Sequence, residues 1–230
     1  MPPHSVIPAV ARAPAVSTFP DAPPHVATSK NWSGYVARHG SYTAVRGSWT
    51  VPDVTTSAVV DVVTWVGLGG STTGDLIQAG TEARAFTNHP PRYEAWIELL
   101  PGLMRAVPFA VHPGNAISVA ITGQGSNRWS IAFTNHSTGQ SFQTIETYQS
   151  TLSSAEWVVE RPSYGGELQK LANFGAIEMT NASAERKGQT VSLAQTGAAP
   201  LNMVDRTGHV IATISGLGSD GRSFTVTHDE

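Results

Sequence analysis

Three short stretches combine polar or acidic side chains with strongly strand-forming neighbours. In Ala155-Glu156-Trp157-Val158-Val159-Glu160, the alternation of a β-strand puts Glu156, Val158 and Glu160 on one face, opposite Trp157 and Val159. In Glu94-Ala95-Trp96-Ile97-Glu98-Leu99 the same rule groups Glu94, Trp96 and Glu98, and around Gln78 it groups Leu76, Gln78 and Gly80. Carboxylates can take a proton from water and return it, whereas an amide offers N–H donors that do not titrate. The solvated outer face of an edge strand gives the same alternation, and for an arbitrary Glu that bland explanation outweighs catalysis several to one. Trp96 beside Glu98 suits a concave substrate groove better than an open surface.

Other chemistries find less support. Cysteine is absent, which removes disulfides, thiolate nucleophiles and Cys-bound zinc together. No Gly-x-Ser-x-Gly elbow occurs, and the eight histidines form no His-Glu-x-x-His. We therefore expect neither a metal nor a cofactor. Paired carboxylates also serve glycosidases, but Glu156 and Glu160 are about 13 Å apart along an extended strand, against the ~5–5.5 Å of a retaining pair. A bulge or a cross-strand partner would change that distance. A jelly-roll glycoside hydrolase or a lectin-like carbohydrate-binding protein thus stands as the alternative.

The elements that must position these residues are strands. Runs at Trp32–Ala37, Ala44–Thr50, Val59–Val66, Asp75–Thr81, Arg92–Leu99, Ala116–Thr122, Trp129–Thr134, Gln140–Thr147, Ala155–Glu160, Gly175–Thr180 and Val210–Ile214 are separated by turn residues. Val191–Leu193 and Ser223–Thr227 are weaker strands, and Asn135–Gln140 has the Asn, Ser and Gly of a hairpin connection. No long helix is predicted. The pattern predicts an all-β protein, an antiparallel β-sandwich of jelly-roll or concanavalin-like type with two large stacked sheets. One such domain, 30–230, fills the length.

Residues 1–29 hold seven of the 15 prolines and no apolar period, and are expected to be a pro-segment or linker. They lack the apolar stretch of a signal peptide. The formal net charge of -3, with scattered basic residues, gives no footprint for nucleic acid. The longest apolar run, near Ala58–Leu68, is broken by Asp61 and Thr64 and falls short of the ~20 residues that span a bilayer, so no membrane partner is expected. Asn31, Asn135 and Asn181 open Asn-x-Ser/Thr sequons.

In this order along the chain, the sequence resembles the glutamic peptidases, or eqolisins. Asn31-Trp32-Ser33-Gly34 is similar to the opening of their mature chains, Thr64-Trp65-Val66-Gly67-Leu68 to their Trp-Val-Gly strand, and Leu76-Ile77-Gln78-Ala79-Gly80 to the segment with the catalytic glutamine. Glu94-Ala95-Trp96-Ile97-Glu98 matches their acidic-Ala-Trp-x-Glu strand, 155–160 the segment ending in the catalytic glutamate, and 174–180 a late core strand. The resemblance implies a secreted, monomeric endopeptidase that acts on polypeptides in acid. In it Glu160 is general base and acid, Gln78 stabilises the oxyanion, Glu98 orients Gln78, and Trp32, Trp65, Glu94 and Trp96 line the groove. Departures fall at Gly69, where the familiar members carry Asp, at Leu99 and Leu100 in place of aromatics, at Arg161-Pro162-Ser163 in place of an acidic tail, and in the missing disulfides.

Overall fold

The computed structural model describes residues 26–54 and 58–229. Its strands, in chain order, begin with β1 (Ala27–Ser29), β2 (Trp32–Arg38), β3 (Tyr42–Thr50), β4 (Val60–Gly69), β5 (Leu76–Phe86), β6 (His89–Leu99) and β7 (Arg105–Ala106). They continue with β8 (Ala116–Gly123), β9 (Arg128–Asn135), β10 (Ser141–Thr147), β11 (Ser154–Glu160), β12 (Ser163–Tyr164), β13 (Glu167–Leu168) and β14 (Ala176–Arg186). After β15 (Gln189–Ser192) comes a single helical turn, α1 (Leu193–Thr196), and then β16 (Ala199–Val204), β17 (Val210–Ile214) and β18 (Phe224–His228).

Hydrogen bonding links the strands in the order β10-β9-β8-β3-β14-β18-β17-β16-β2-β11-β4-β5-β6-β7, antiparallel along that path. The antiparallel β-sandwich predicted from the sequence is the fold observed; its two layers are continuous, because hydrogen bonds run through β18, β17 and β16 and the sheet folds over to make both. Trp49 Nε1 on β3 donates to Thr81 Oγ1 on β5 at 2.9 Å, and Trp157 Nε1 on β11 donates to the Arg46 carbonyl on β3 at 2.8 Å, so the layers are joined by polar bonds as well as by packing. Between them lie Tyr35, Val62, Val66, Ile77, Val45, Ile117, Phe133 and Ile177, all buried. Each such side chain contributes about 1.5–3 kcal/mol by leaving water.

β8 shows the half-buried alternation expected of an outer strand, whereas every residue of β4 and of β11 is buried. A strand covered on both faces should read as a continuous apolar run. These two carry Asp61, Glu156 and Glu160 instead, so acidic side chains are buried on their second face.

Some local chemistry departs from the prediction. Val191–Leu193 is expected as a strand, but Ser192 ends β15 and caps α1: its Oγ accepts from the Gln195 N–H while Gln195 Oε1 accepts from the Ser192 N–H. β16 goes unanticipated because Pro200 sits inside it. Of the stretch 1–29, expected as a pro-segment or linker, residues 1–25 lie outside the described residues, but Ala27–Ser29 form β1, parallel to Leu201–Met203 of β16.

Candidate active site

β11, β4, β5 and β6 are neighbours, and their register arranges the outer-face residues in rows across the sheet. Glu160, Val63, Glu82 and Glu94 make one row; Val158, Trp65, Gly80 and Trp96 the next; Glu156, Gly67, Gln78 and Glu98 the third. Trp32 on β2 flanks Glu160. The structure therefore brings all of the sequence-predicted site residues to one face of one sheet.

Glu160 is fully buried and held by two donors: Asn31 Nδ2 to Oε1 at 3.0 Å and Trp65 Nε1 to Oε2 at 2.7 Å. Burial pushes its pKa well above the usual carboxylate range. The Trp65 and Asn31 donors, with the Trp32 ring nearby, pull it partly back, and the nearby Glu98 carboxyl pushes it up again. Gln78 is also fully buried; its Nε2 donates to Glu98 Oε2 at 2.7 Å across a directly paired register position. Gln78 Oε1 has no partner among the described residues.

Trp65 takes its place beside Glu160 because two glycines make room for it. A Cβ on Gly80 would lie 2.1 Å from the Thr64 carbonyl oxygen and 2.6 Å from Trp65 Cβ, and one on Gly67 would lie 2.8 Å from Trp65 Cζ3. The ring so placed meets Trp32 edge-on, with centroids 5.1 Å apart. Trp32, Trp65, Trp96, Leu76, Val63, Val36, Val158 and Leu201 form a cluster separate from the main core, with Leu100, Met104 and Ala27 packed over it. Glu94 stands apart: it is half-buried at the rim, 3.9 Å from Arg92.

Sequence reasoning assigns no role to four residues here. Asn31 is read only as part of a motif and a sequon, yet it is buried against Glu160; Asn135 is buried too, so Asn181 is the exposed sequon of the three. Asp61, Glu82 and Tyr164 form a hydrogen-bonded group at the Glu82 position of the Glu160 row. Asp61 interrupting an apolar run was the available signal. The buried Glu156 is likewise pushed up by desolvation, offset by Ser154 and Arg38.

A groove of about 930 Å³ lies on the other layer around Ser48, Ser118, His136 and Glu178. There Ser118 Oγ lies 2.7 Å from His136 Nε2 and 2.8 Å from Ser48 Oγ. Among the described residues no carboxylate is hydrogen-bonded to the other nitrogen of that exposed imidazole, so the pair lacks the orienting acid of a serine hydrolase. The buried glutamate and glutamine are the better site.

A Peptidase A4 family profile matches residues 30–227. Aspergillopepsin-2 of Aspergillus niger is 28% identical, over 87% of this chain and 78% of that protein. The crystal structure of aspergilloglutamic peptidase from Aspergillus niger is 26% identical and covers 74% of this chain and 99% of its own, with a TM-score of 0.65. Scytalido-glutamic peptidase with a transition state analog inhibitor superimposes at a TM-score of 0.75 with 20% identity, over 87% of this chain and 98% of its own, which shows the fold. With a β-sandwich that carries this site on one face, the chain belongs to the Peptidase A4 family and is a glutamic-type peptidase.

Proposed function

We propose that the protein is a secreted endopeptidase that hydrolyses polypeptides in mild acid, with Glu160 and Gln78 as its catalytic residues. One observation carries this reading: a carboxyl group fixed by Asn31 and Trp65 shares a sheet face with an amide fixed by Glu98. Water lying between them gives a proton to ionised Glu160 and attacks the peptide carbonyl carbon. Gln78 Nε2 has two hydrogens; one is committed to Glu98 and the other can donate to the oxyanion that forms. The proton held by Glu160 then passes to the departing nitrogen as the C–N bond breaks.

A pKa raised by burial suits both halves of that task, because a group that must take and return a proton works best near the operating pH. A glutamine at the oxyanion keeps its donor at any pH, unlike a carboxylic acid. Leu100 and Met104 pack against the tryptophan cluster around the pair and offer apolar contacts to a substrate. Every residue invoked comes from one chain, so a monomer suffices. A surface with few charges, 14 Lys+Arg and 17 Asp+Glu, accords with an acidic extracellular setting.

The experiment is digestion of a denatured protein across a pH series, with fragments identified by mass spectrometry, for the wild type and Glu160→Gln. Cleavage should peak below neutrality and be almost lost in the variant, whose fold circular dichroism would show to be retained. Wild-type turnover by pure Glu160→Gln protein, or an optimum well above neutrality, would overturn the assignment.

A further inference from the structure

Tyr164 lies four residues beyond Glu160, in the small hairpin of β12 and β13 that turns at Gly165-Gly166. Its hydroxyl contacts Asp61 Oδ2 on β4 and, at 2.6 Å, Glu82 Oε1 on β5, and the two carboxyls also bond to each other. Asp61 and Glu82 are 1% and 2% exposed. A tyrosine hydroxyl has one hydrogen, so it can donate to one of these two oxygens. The other contact needs a second hydrogen, and only a protonated carboxyl can supply it.

Electrostatics point the same way. Arg84 Nε is 3.6 Å from Asp61 Oδ2, and its guanidinium stacks 4.4 Å from the centre of the Tyr164 ring. Two ionised carboxyls in contact out of water repel each other, which favours a proton on one of them. Around them stand Arg92 and Glu94 on β6, in register with Arg84 and Glu82, Glu160 on β11 in the Glu82 row, and Glu167 paired with Tyr164. Lys170 contributes its carbonyl to the Asp61 N–H. Among the described residues Arg84 is the cation within ion-pair distance of Asp61.

We propose that Asp61 and Glu82 share one proton beneath Tyr164, and that this carboxyl pair is a positioning device which docks the hairpin following Glu160 in acid and releases it as the proton is lost. The inference deepens the reading of Glu160 as the base and rests on it. Hairpin and base belong to one run of chain: Arg161 N–H bonds to the Asn31 carbonyl, and Asn31 holds Glu160. Burial and the neighbouring carboxyl push Asp61 well above its ordinary value of 3.8. The folded protein therefore binds this proton more tightly than the unfolded chain. The stability so gained is complete below the ordinary value and is lost as pH rises through the raised one.

The test uses the full chain and the variants Asp61→Asn and Glu82→Gln, which keep shape and hydrogen bonding but need no shared proton. Thermal unfolding from pH 4 to pH 8 should show each variant losing less Tm than the wild type, by at least roughly 3 °C. The upper limb of the kcat/KM profile should move up by about one pH unit. Tyr164→Phe keeps the ring against Arg84 and should lower kcat in acid about three- to tenfold with KM unchanged, as expected of lost positioning. Profiles and melting curves that superimpose on the wild type would overturn the proposal, as would an unchanged kcat in Tyr164→Phe. A Glu160→Gln enzyme that kept its turnover would instead sink the base assignment, leaving the melting comparison to decide the pair.

Discussion

At Glu160 the pKa results from opposed neighbours, and each can be removed singly. Trp65 Nε1 stabilises the ionised form through its bond to Oε2, so Trp65→Phe should raise the Glu160 pKa and move the acid limb of kcat/KM to higher pH, with little change in KM. An acid limb that stayed in place would mean that this limb reports another group. Gln78 differs in kind, because its contribution does not titrate. Gln78→Ala should cost about 10²–10³ in kcat at every pH. Gln78→Glu should not rescue it, since a carboxylate there faces both Glu98 and the forming oxyanion. Kinetics across pH would separate these two patterns, a displaced limb against a uniform drop.

β1 shows how little sequence is needed to make an element. Ala27–Ser29 pairs with β16, Ala27 packs against the tryptophan cluster, and Ser29 Oγ accepts from the Trp32 N–H at 3.2 Å and donates to Asn31 Oδ1. A chain starting at Val26 should therefore melt and cut like the full-length protein, whereas one starting at Lys30 should lose Tm and activity because Asn31 and Trp32 lose their anchor. Equal melting of the two would show β1 to be dispensable. This strand was illegible because a three-residue strand carries no period and its partner, β16, contains Pro200. Strands with strong β-branched and aromatic runs, such as β4, β9 and β11, were legible, and so was the face that Glu156, Val158 and Glu160 share. What no single strand could reveal was register. Gln78 opposite Glu98, and Asp61 near Tyr164, follow from pairings between segments far apart in sequence, which alternation within one strand does not encode. The glycosidase alternative, open while only alternation was in hand, falls with family membership.

For the whole molecule, the catalytic groups proposed above are oxygen and nitrogen atoms of side chains that no serine, cysteine or metal reagent attacks. Activity should accordingly survive a chelator, a serine-directed acylating reagent and a thiol alkylator; strong inhibition by the chelator would sink the assignment. The insertion of β11 between β2 and β4 has a further consequence, for the order in which the protein can become dangerous to its host. The meander β4-β5-β6 closes through short loops and brings Trp65, Gln78, Trp96 and Glu98 together early, but Glu160 arrives on a strand that enters from far along the chain. Such distant closures are slow. On the proposed assignment, a ribosome-bound or truncated chain lacking β11 holds the oxyanion donor without the base, and should be unable to digest itself or its neighbours. Proteolytic power should then appear in one late step, when the central strand slots home.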